Sequence, residues 1–194
     1  MKIQNLIFAV LLAGFLPLNG NAADVSPANS NFSAGIVASN PTAAAKITQG
    51  LNITLSSDVE LRGLTAGYLS AAPNEWGYDL NLAFIQMTAN GSYANLARFD
   101  GDFVRNIDNR LMFKAGLNAI KFVTNDNFKD MQLGFGYQLG LQYRVTGCFE
   151  LGAAYKEMNT SGDVPVYSSG GAVVGHVPVD YKISGIEVNL LAIF

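Results

Sequence analysis

The segment MQLGFGYQLGLQYRV, residues 131–145, alternates large apolar residues with glycine, glutamine and arginine along its whole length. A period of two places successive side chains on opposite faces of a β-strand. Strands of globular proteins average about five to six residues, so this segment predicts an unusually long strand. One face is apolar and the other carries glycine and polar groups. This pattern predicts a membrane-spanning strand whose polar face points inward.

The same alternation recurs in other parts of the chain, so the sequence predicts eight strands in total. Eight strands form the smallest usual closed barrel. The further segments are residues 46–55, 63–68, 76–88, 93–105, 111–119, 149–158 and 185–194.

The links between the segments fall into two groups at opposite ends of the predicted strands. Residues 71–75, 106–109 and 146–148 form short, turn-rich links, whereas 124–130 and 161–178 are longer and more polar. Outer-membrane barrels have short periplasmic turns and longer external loops. The sequence therefore predicts an all-β fold, an eight-stranded antiparallel transmembrane β-barrel with up-and-down meander order, in the bacterial outer membrane.

The position of the first strand leaves two alternatives. The preferred one is residues 45–56, which would join the second strand through the tight link SSDV, residues 56–59. Residues 23–44 would then form an N-terminal extension. The other alternative places the first strand at residues 31–39 and makes 40–58 a long external loop.

The first residues have the composition of a secretory signal peptide. Lys2 is followed by an apolar stretch at residues 6–18 that is too short to span a membrane, and small residues follow it. The predicted organisation is a signal peptide at 1–22, an N-terminal extension at 23–44 and an outer-membrane barrel at 45–194.

The composition argues against several classes of protein. Only 14% of the residues are charged, well below the roughly 25% of soluble domains. The net charge is −3 and the basic residues are not clustered, which argues against a nucleic-acid partner. The single cysteine, Cys148, provides no disulfide framework. A soluble lipocalin-like barrel is disfavoured because no second layer would cover the outward Leu, Phe and Tyr residues.

The inward faces of the predicted strands carry nearly equal numbers of acidic and basic residues. A balanced set favours ion pairs that fill the lumen over a charge-selective pore. The turn at 146–148 predicts that Arg144 lies opposite Glu150, and the turn at 106–109 predicts that Lys114 lies opposite Asp100 or Asp102. The residues predicted to form lumen ion pairs are Arg98, Asp100, Asp102, Lys114, Arg144, Glu150 and Glu187.

Aromatic residues are predicted to face outward near the periplasmic ends of the strands. Such a girdle marks the membrane–water interface of an outer-membrane barrel. Its predicted members are Tyr68, Trp76, Phe103, Phe113, Tyr143, Phe149 and Phe194.

The end of the chain, SGIEVNLLAIF, resembles the C-terminal β-signal that marks outer-membrane barrels for assembly. Together with GYQLGLQYRVTGCFELGAAYKEM, residues 136–158, it resembles the family of small outer-membrane β-barrel proteins typified by the OmpA transmembrane domain and OmpX, and more loosely the YfaZ family. The resemblance implies contact with outer-membrane lipids and lipopolysaccharide, help from the barrel-assembly machinery, a monomer, and no cofactor. The residues that carry the assembly signal are Gly185, Ile186, Val188, Leu190, Ala192 and Phe194.

The sequence leaves three functions open. The first is a structural or surface-interaction barrel that acts through its external loops, with no enzymatic activity. The alternative is a narrow pore or transporter for small or apolar solutes. The second alternative is an outer-membrane lipid-modifying enzyme, in which the only histidine, His176, would act with Ser168, Ser169 or Asp163.

Overall fold

The computed structural model describes residues 30–47, 53–71, 75–124 and 130–194, and the predicted signal peptide lies outside these ranges. The described residues contain no helix that is long and apolar enough to cross a membrane. They form ten β-strands: β1 (Ser30–Ser39), β2 (Thr42–Ile47), β3 (Ile53–Asp58), β4 (Glu60–Ser70), β5 (Trp76–Ala89), β6 (Ser92–Asn106), β7 (Leu111–Thr124), β8 (Gly134–Thr146), β9 (Phe149–Tyr167) and β10 (Val173–Ile193).

The first four of these strands make only two strands of the wall. β1 and β2 pair with β10 in one continuous register, which runs from Ser39 opposite Glu187 to Thr42 opposite Ser184. β3 and β4 likewise pair with β2 and β1 in one register. The first strand is interrupted at Pro41, which has no N–H to donate, although its carbonyl oxygen accepts a 3.0 Å bond from Val59.

The wall is closed and antiparallel throughout. β1 pairs with β4 on one side and with β10 on the other, so the last strand returns to the first. The remaining strands pair in chain order from β4 to β10. Counting β1 with β2 and β3 with β4, the sheet has eight wall strands, which confirms the predicted all-β, eight-stranded antiparallel meander.

The predicted boundaries of the first strand are wrong. The wall begins at Ser30 rather than at residue 45, so most of the predicted extension at 23–44 belongs to the barrel. The alternative correctly placed a strand at 31–39, but its external loop at 40–58 is wrong because β2 and β3 occupy much of it. The sequence SSDV is not a tight link, since it continues from β3 toward β4.

The predicted single strand over residues 46–55 is wrong, because its described residues belong to two strands that pair with each other, β2 up to Ile47 and β3 from Ile53, and its predicted faces are reversed. Lys46 was predicted to point inward, whereas it is exposed, and Ala43 on the other face of β2 is buried. Ile53 and Leu55 were predicted to point outward, whereas they lie on the same face of the chain as Val59, which points into the barrel. The error arose because this end of the interior is apolar, whereas a polar interior had been assumed.

The alternating segment at residues 131–145 forms β8, but only from Gly134 onward. Phe135, Leu139 and Leu141 point outward and are at least half exposed. Met131 was expected to continue this outward face, whereas it is completely buried. Residues 131–133 lie outside β8, and the backbone N–H of Gln132 donates to the carbonyl oxygen of Ser161 on β9 at 2.8 Å. Met131 therefore enters the interior from above the wall.

The two ends of the barrel differ. At the end we call the turn end, β6–β7 and β8–β9 are joined by short turns, and Phe194 lies there bonded to Phe32. Asp108 accepts backbone N–H bonds in one of these turns, which lowers its pKa. At the opposite hairpin end, Asn90 and Gly91 form a two-residue turn with φ of 48° and 80°.

The β9–β10 hairpin projects beyond the rest of the wall at the hairpin end. β8 accompanies β9 only as far as Asn159, and β2 accompanies β10 only from Val179 onward. β9 and β10 nevertheless remain paired with each other up to Tyr167 and Val173. Residues 162–178 therefore form a ribbon of two strands that stands above the barrel, and we call it the outer hairpin.

Candidate functional site

The centre of the barrel interior is occupied by a buried ring of four charged side chains. Arg98 donates from both terminal nitrogens to the carboxylate of Glu187, at 2.6 and 2.7 Å. Its Nε donates to Asp100 at 3.0 Å. Lys156 closes the ring, with its Nζ 2.7 Å from Asp100 and 3.1 Å from Glu187. Two positive and two negative groups thus compensate each other away from water.

A second group of charges lies beside this ring. Lys114 forms an ion pair with Asp79, so its predicted partners Asp100 and Asp102 are wrong. Asp102 instead accepts a bond from Gln138 at 2.7 Å. The prediction considered only the strand joined to β7 by the turn. In a narrow barrel, the long lysine side chain reaches β5, which lies two strands away.

A third group lies near the turn end, where β8 meets β9. The structure places Arg144 directly across from Glu150, with Nη2 to Oε1 at 2.7 Å and Nε to Oε1 at 2.9 Å. Gln142 also donates to Glu150, and this carboxylate is completely buried. The short turn fixes this register, which explains why the pair could be derived from the sequence.

Buried apolar layers lie toward both ends of the interior, and the predictions from the sequence did not include them. The available signal was the stretch LAFIQM, residues 82–87, which is apolar on both faces of β5. At the turn end the layer consists of Leu69, Ala71, Val104 and Met112. At the hairpin end it includes Val37, Val59, Leu61, Ile85, Met87, Leu96, Ile120, Phe122, Met131, Met158 and Ile183.

The charged layer contains little free space. A cavity of about 30 Å³ lies among Arg98, Lys114 and Gln138. A single water needs about 10–15 Å³, so this cavity holds very few waters. The buried side-chain oxygens of Asn118, Gln138 and Asn189 lack a protein partner, which makes such waters their natural donors. The charged layer is therefore a packed core with only a small cavity.

The residues predicted for the aromatic girdle lie on outward positions toward the turn end. Trp76, Phe103 and Phe194 are the most exposed of them, and the guanidinium of Arg105 lies 5.4 Å above the Trp76 ring. Phe32, which is not among the predicted members of the girdle, packs against Tyr68 with ring centroids 5.1 Å apart. The placement of Phe113, Tyr143 and Phe149 follows the same alternation.

Five of the six residues of the predicted assembly signal lie on β10, and Phe194 directly follows this strand. Ile186 is well exposed on the outer face, and Val188, Leu190 and Ala192 follow at alternate positions of β10. Gly185 lies against Pro41, where a side chain would collide with the proline ring. Recognition of this strand by an assembly machinery remains a prediction.

The possible catalytic group of the outer hairpin is spread along the ribbon. His176 is exposed and pairs across the ladder with Pro165. The Ser168 hydroxyl accepts a bond from the backbone N–H of Ala172 within the turn, at 3.2 Å. Among the described residues, no group of three or more His, Cys, Asp or Glu side chains is arranged to hold a metal ion.

The fold and the interior define the class: a small closed β-barrel whose paired charges lie between two apolar layers. The chain is similar to the outer membrane protein OprG from Pseudomonas aeruginosa, with 13% identity and a TM-score of 0.49 over 86% of this chain and 96% of that one. It is also similar to Ail, the attachment invasion locus protein of Yersinia pestis (17%, 0.42, 85% and 97%). A third similar structure is Neisserial surface protein A (16%, 0.42, 84% and 96%). No protein-family model and no curated protein sequence matches the chain.

Proposed function

We propose that this chain is an integral outer-membrane barrel that acts at the cell surface through its hairpin end and does not conduct ions. The observation that carries the proposal is an apolar outer face around a filled interior. Leu64, Leu117 and Ile186 lie on three different wall strands, and each is at least 65% exposed. Such a surface suits lipid, where closure of the sheet satisfies every backbone hydrogen bond of the wall.

The orientation follows from the two ends of the wall. Short turns and the last residue, Phe194, share the turn end, which we assign to the periplasm. The outer hairpin then faces the exterior. In this setting the partners are outer-membrane lipids and lipopolysaccharide around the wall, and the barrel-assembly machinery during insertion. The proposed oligomeric state is a monomer, because β1 and β10 pair with each other and do not need a second chain to close the wall.

The outer hairpin is the part of the chain best suited to a surface interaction. Its tip exposes Val166, Tyr167, Val173 and Val174, although it projects beyond the wall that lipid would cover. Exposed apolar groups outside a membrane are costly unless a partner covers them. The tip therefore supports contact with neighbouring cells or host molecules.

The single cysteine provides a test of the orientation. Cys148 is exposed in the β8–β9 turn, at the proposed periplasmic end. We expect a maleimide that is too large to cross the outer membrane to leave Cys148 unlabelled in intact cells and to label it after permeabilisation. The matched control is Cys148→Ser combined with Ser169→Cys, which we expect to be labelled in intact cells. Labelling of Cys148 in intact cells would reverse the orientation.

The surface role predicts an effect of the hairpin tip that is separate from folding. Replacing Val166, Tyr167, Val173 and Val174 with serine should remove most cell–cell aggregation or adhesion to host-matrix coatings that expression of the wild-type chain confers. The heat-modifiable migration of the folded barrel should persist, because the tip lies outside the wall. Gly170→Ser alters the same tip without removing apolar surface and serves as the control. Unchanged adhesion of the serine variant would contradict the proposal.

The narrow pore remains the competing function, and the packed interior argues against it. We expect the protein reconstituted in a planar bilayer to show no discrete conductance steps, because two apolar layers and the ion pairs block the axis. Lys114→Ala and Arg144→Ala, which remove blocking cations, separate a path through the lumen from leakage around the protein. Steps in the wild type whose size these variants change would favour the pore.

A further inference from the structure

A cup opens into the barrel wall at the hairpin end. It has a volume of about 380 Å³ and lies between the β2–β3 hairpin and the β5–β6 turn. Ala43, Leu55, Met87, Tyr93 and Tyr181 form much of its lining. None of the described residues that line the cup is charged, and its more polar members, such as Ser56 and Asn90, are exposed to solvent.

Unequal strand lengths create the cup. The ladder between β4 and β5 ends with Glu60 opposite Thr88, and β5 turns back at Asn90. Beyond this point β3 still pairs with β2, from Asp58 to Ile53, so the β2–β3 hairpin extends farther than the end of β5. Among the described residues, no strand therefore pairs with the second edge of β3, and the small side chains of β2 leave the space open.

The floor of the cup is closed. Val59, Met87 and Ala94 are at most 5% exposed, and they belong to the apolar layer at the hairpin end. Beneath this layer lies the charged ring, with its cavity of only about 30 Å³. A molecule can thus reach the cup from the hairpin end but meets a packed core below it.

The walls show what kind of molecule would be bound. Leu55 is 61% exposed and lies on the same face of the chain as the buried Val59, so a large apolar group faces an open space above a dry apolar floor. Small-molecule sites usually have volumes of about 300–1,000 Å³ and a mostly apolar lining with a few polar groups. An ion would lose its hydration here without gaining a charged partner.

We propose that the cup is a binding site for a small, uncharged apolar molecule of the size of a one- or two-ring aromatic compound. A polar group of this ligand would lie at the rim. The site binds without passing the ligand through the barrel, because its floor is sealed. This inference goes beyond the surface role of the outer hairpin, since it concerns residues of β2, β3, β5 and β6.

The four methionines of the described chain provide a direct readout. Met87 lines the cup, Met131 and Met158 lie in the layer below it, and Met112 lies at the turn end. All four are buried inside the wall, so lipid does not contact them. We expect naphthalene, titrated into ¹³C-methyl-methionine-labelled protein in lipid nanodiscs, to shift the Met87 signal saturably and to leave Met112 unchanged. Benzyltrimethylammonium, a charged probe, should leave Met87 unchanged.

Two variants locate the site. Leu55→Asp places a charge on an already exposed wall and should weaken naphthalene binding at least tenfold, whereas Val174→Asp makes the same kind of change on the outer hairpin and should have no effect. Ala45→Phe fills the cup and should abolish saturation, independently of charge. A Met87 shift that does not saturate, that Met112 shares, or that survives both cup variants in folded protein would overturn the proposal.

Discussion

Arg98→Met is expected to be the most damaging single substitution in the barrel. It removes the cation that holds Glu187 with two bonds and Asp100 with a third, in a side chain that is only 1% exposed. Two buried carboxylates would then share Lys156 alone. Removing one partner of a buried ion pair typically costs about 3–5 kcal/mol, so most of the variant should fail to reach the heat-modifiable folded form.

Refolding into lipid vesicles, followed by urea unfolding, measures this effect. The double variant Arg98→Met/Glu187→Leu leaves Asp100 and Lys156 as a balanced pair, and it should recover much of the lost stability. Arg62→Met serves as the control, because the Arg62–Glu60 pair is exposed on the outer face and should contribute less than about 1 kcal/mol. An Arg98→Met variant as stable as the Arg62→Met control would show that the ring does not hold the interior together.

Gly136→Val should have the second largest effect. A side chain on Gly136 would overlap the backbone carbonyl oxygen of Glu157 on β9 and the side chain of Asn118 on β7. Because one obstacle is backbone, the wall itself would have to move. We expect a loss of about 3 kcal/mol, at the upper end of the usual cost of overpacking.

Gly101→Val is the matched control for this substitution. Gly101 lies on the outer face of β6, where an added Cβ meets only the side chains of Phe99 at 3.7 Å and Leu80 at 3.8 Å. A β-branched residue suits a strand, so its unfolding midpoint should stay near that of the wild type or rise. Equal losses in the two variants would mean that the space available in the lumen does not set Gly136 apart from Gly101.

Two of the ion pairs in the interior differ in how far the sequence determines them. Arg144 and Glu150 could be paired from the sequence because a short turn fixes the register of the strands that carry them. The partner of Lys114 could not, since Asp79 lies on a strand two places away. No local pattern shows how far a lysine reaches across a closed tube.

The apolar layers were missed for a related reason. Ile85 and Met87 alternate correctly with Phe84 and Gln86, but a strand with apolar residues on both faces does not show which face is inside. The same ambiguity reversed the predicted faces of Lys46, Ile53 and Leu55. The cup could not be predicted from the sequence either. It exists only because β3 extends farther at the hairpin end than β5, which ends at the Asn90–Gly91 turn.

By itself, the sequence determined the part of the wall that runs from β4 to β10. A period of two along β4 to β10, with short turns between strands, is a local property, so the strands, their outward faces and their antiparallel order could be read from it. The arrangement of side chains in the barrel interior was decided by the tertiary structure. Apart from the Arg144–Glu150 pair, which a short turn fixes, the charge pairing, the apolar layers and the position of the cup depend on distances across the closed barrel. These distances are set only when β10 pairs with β1.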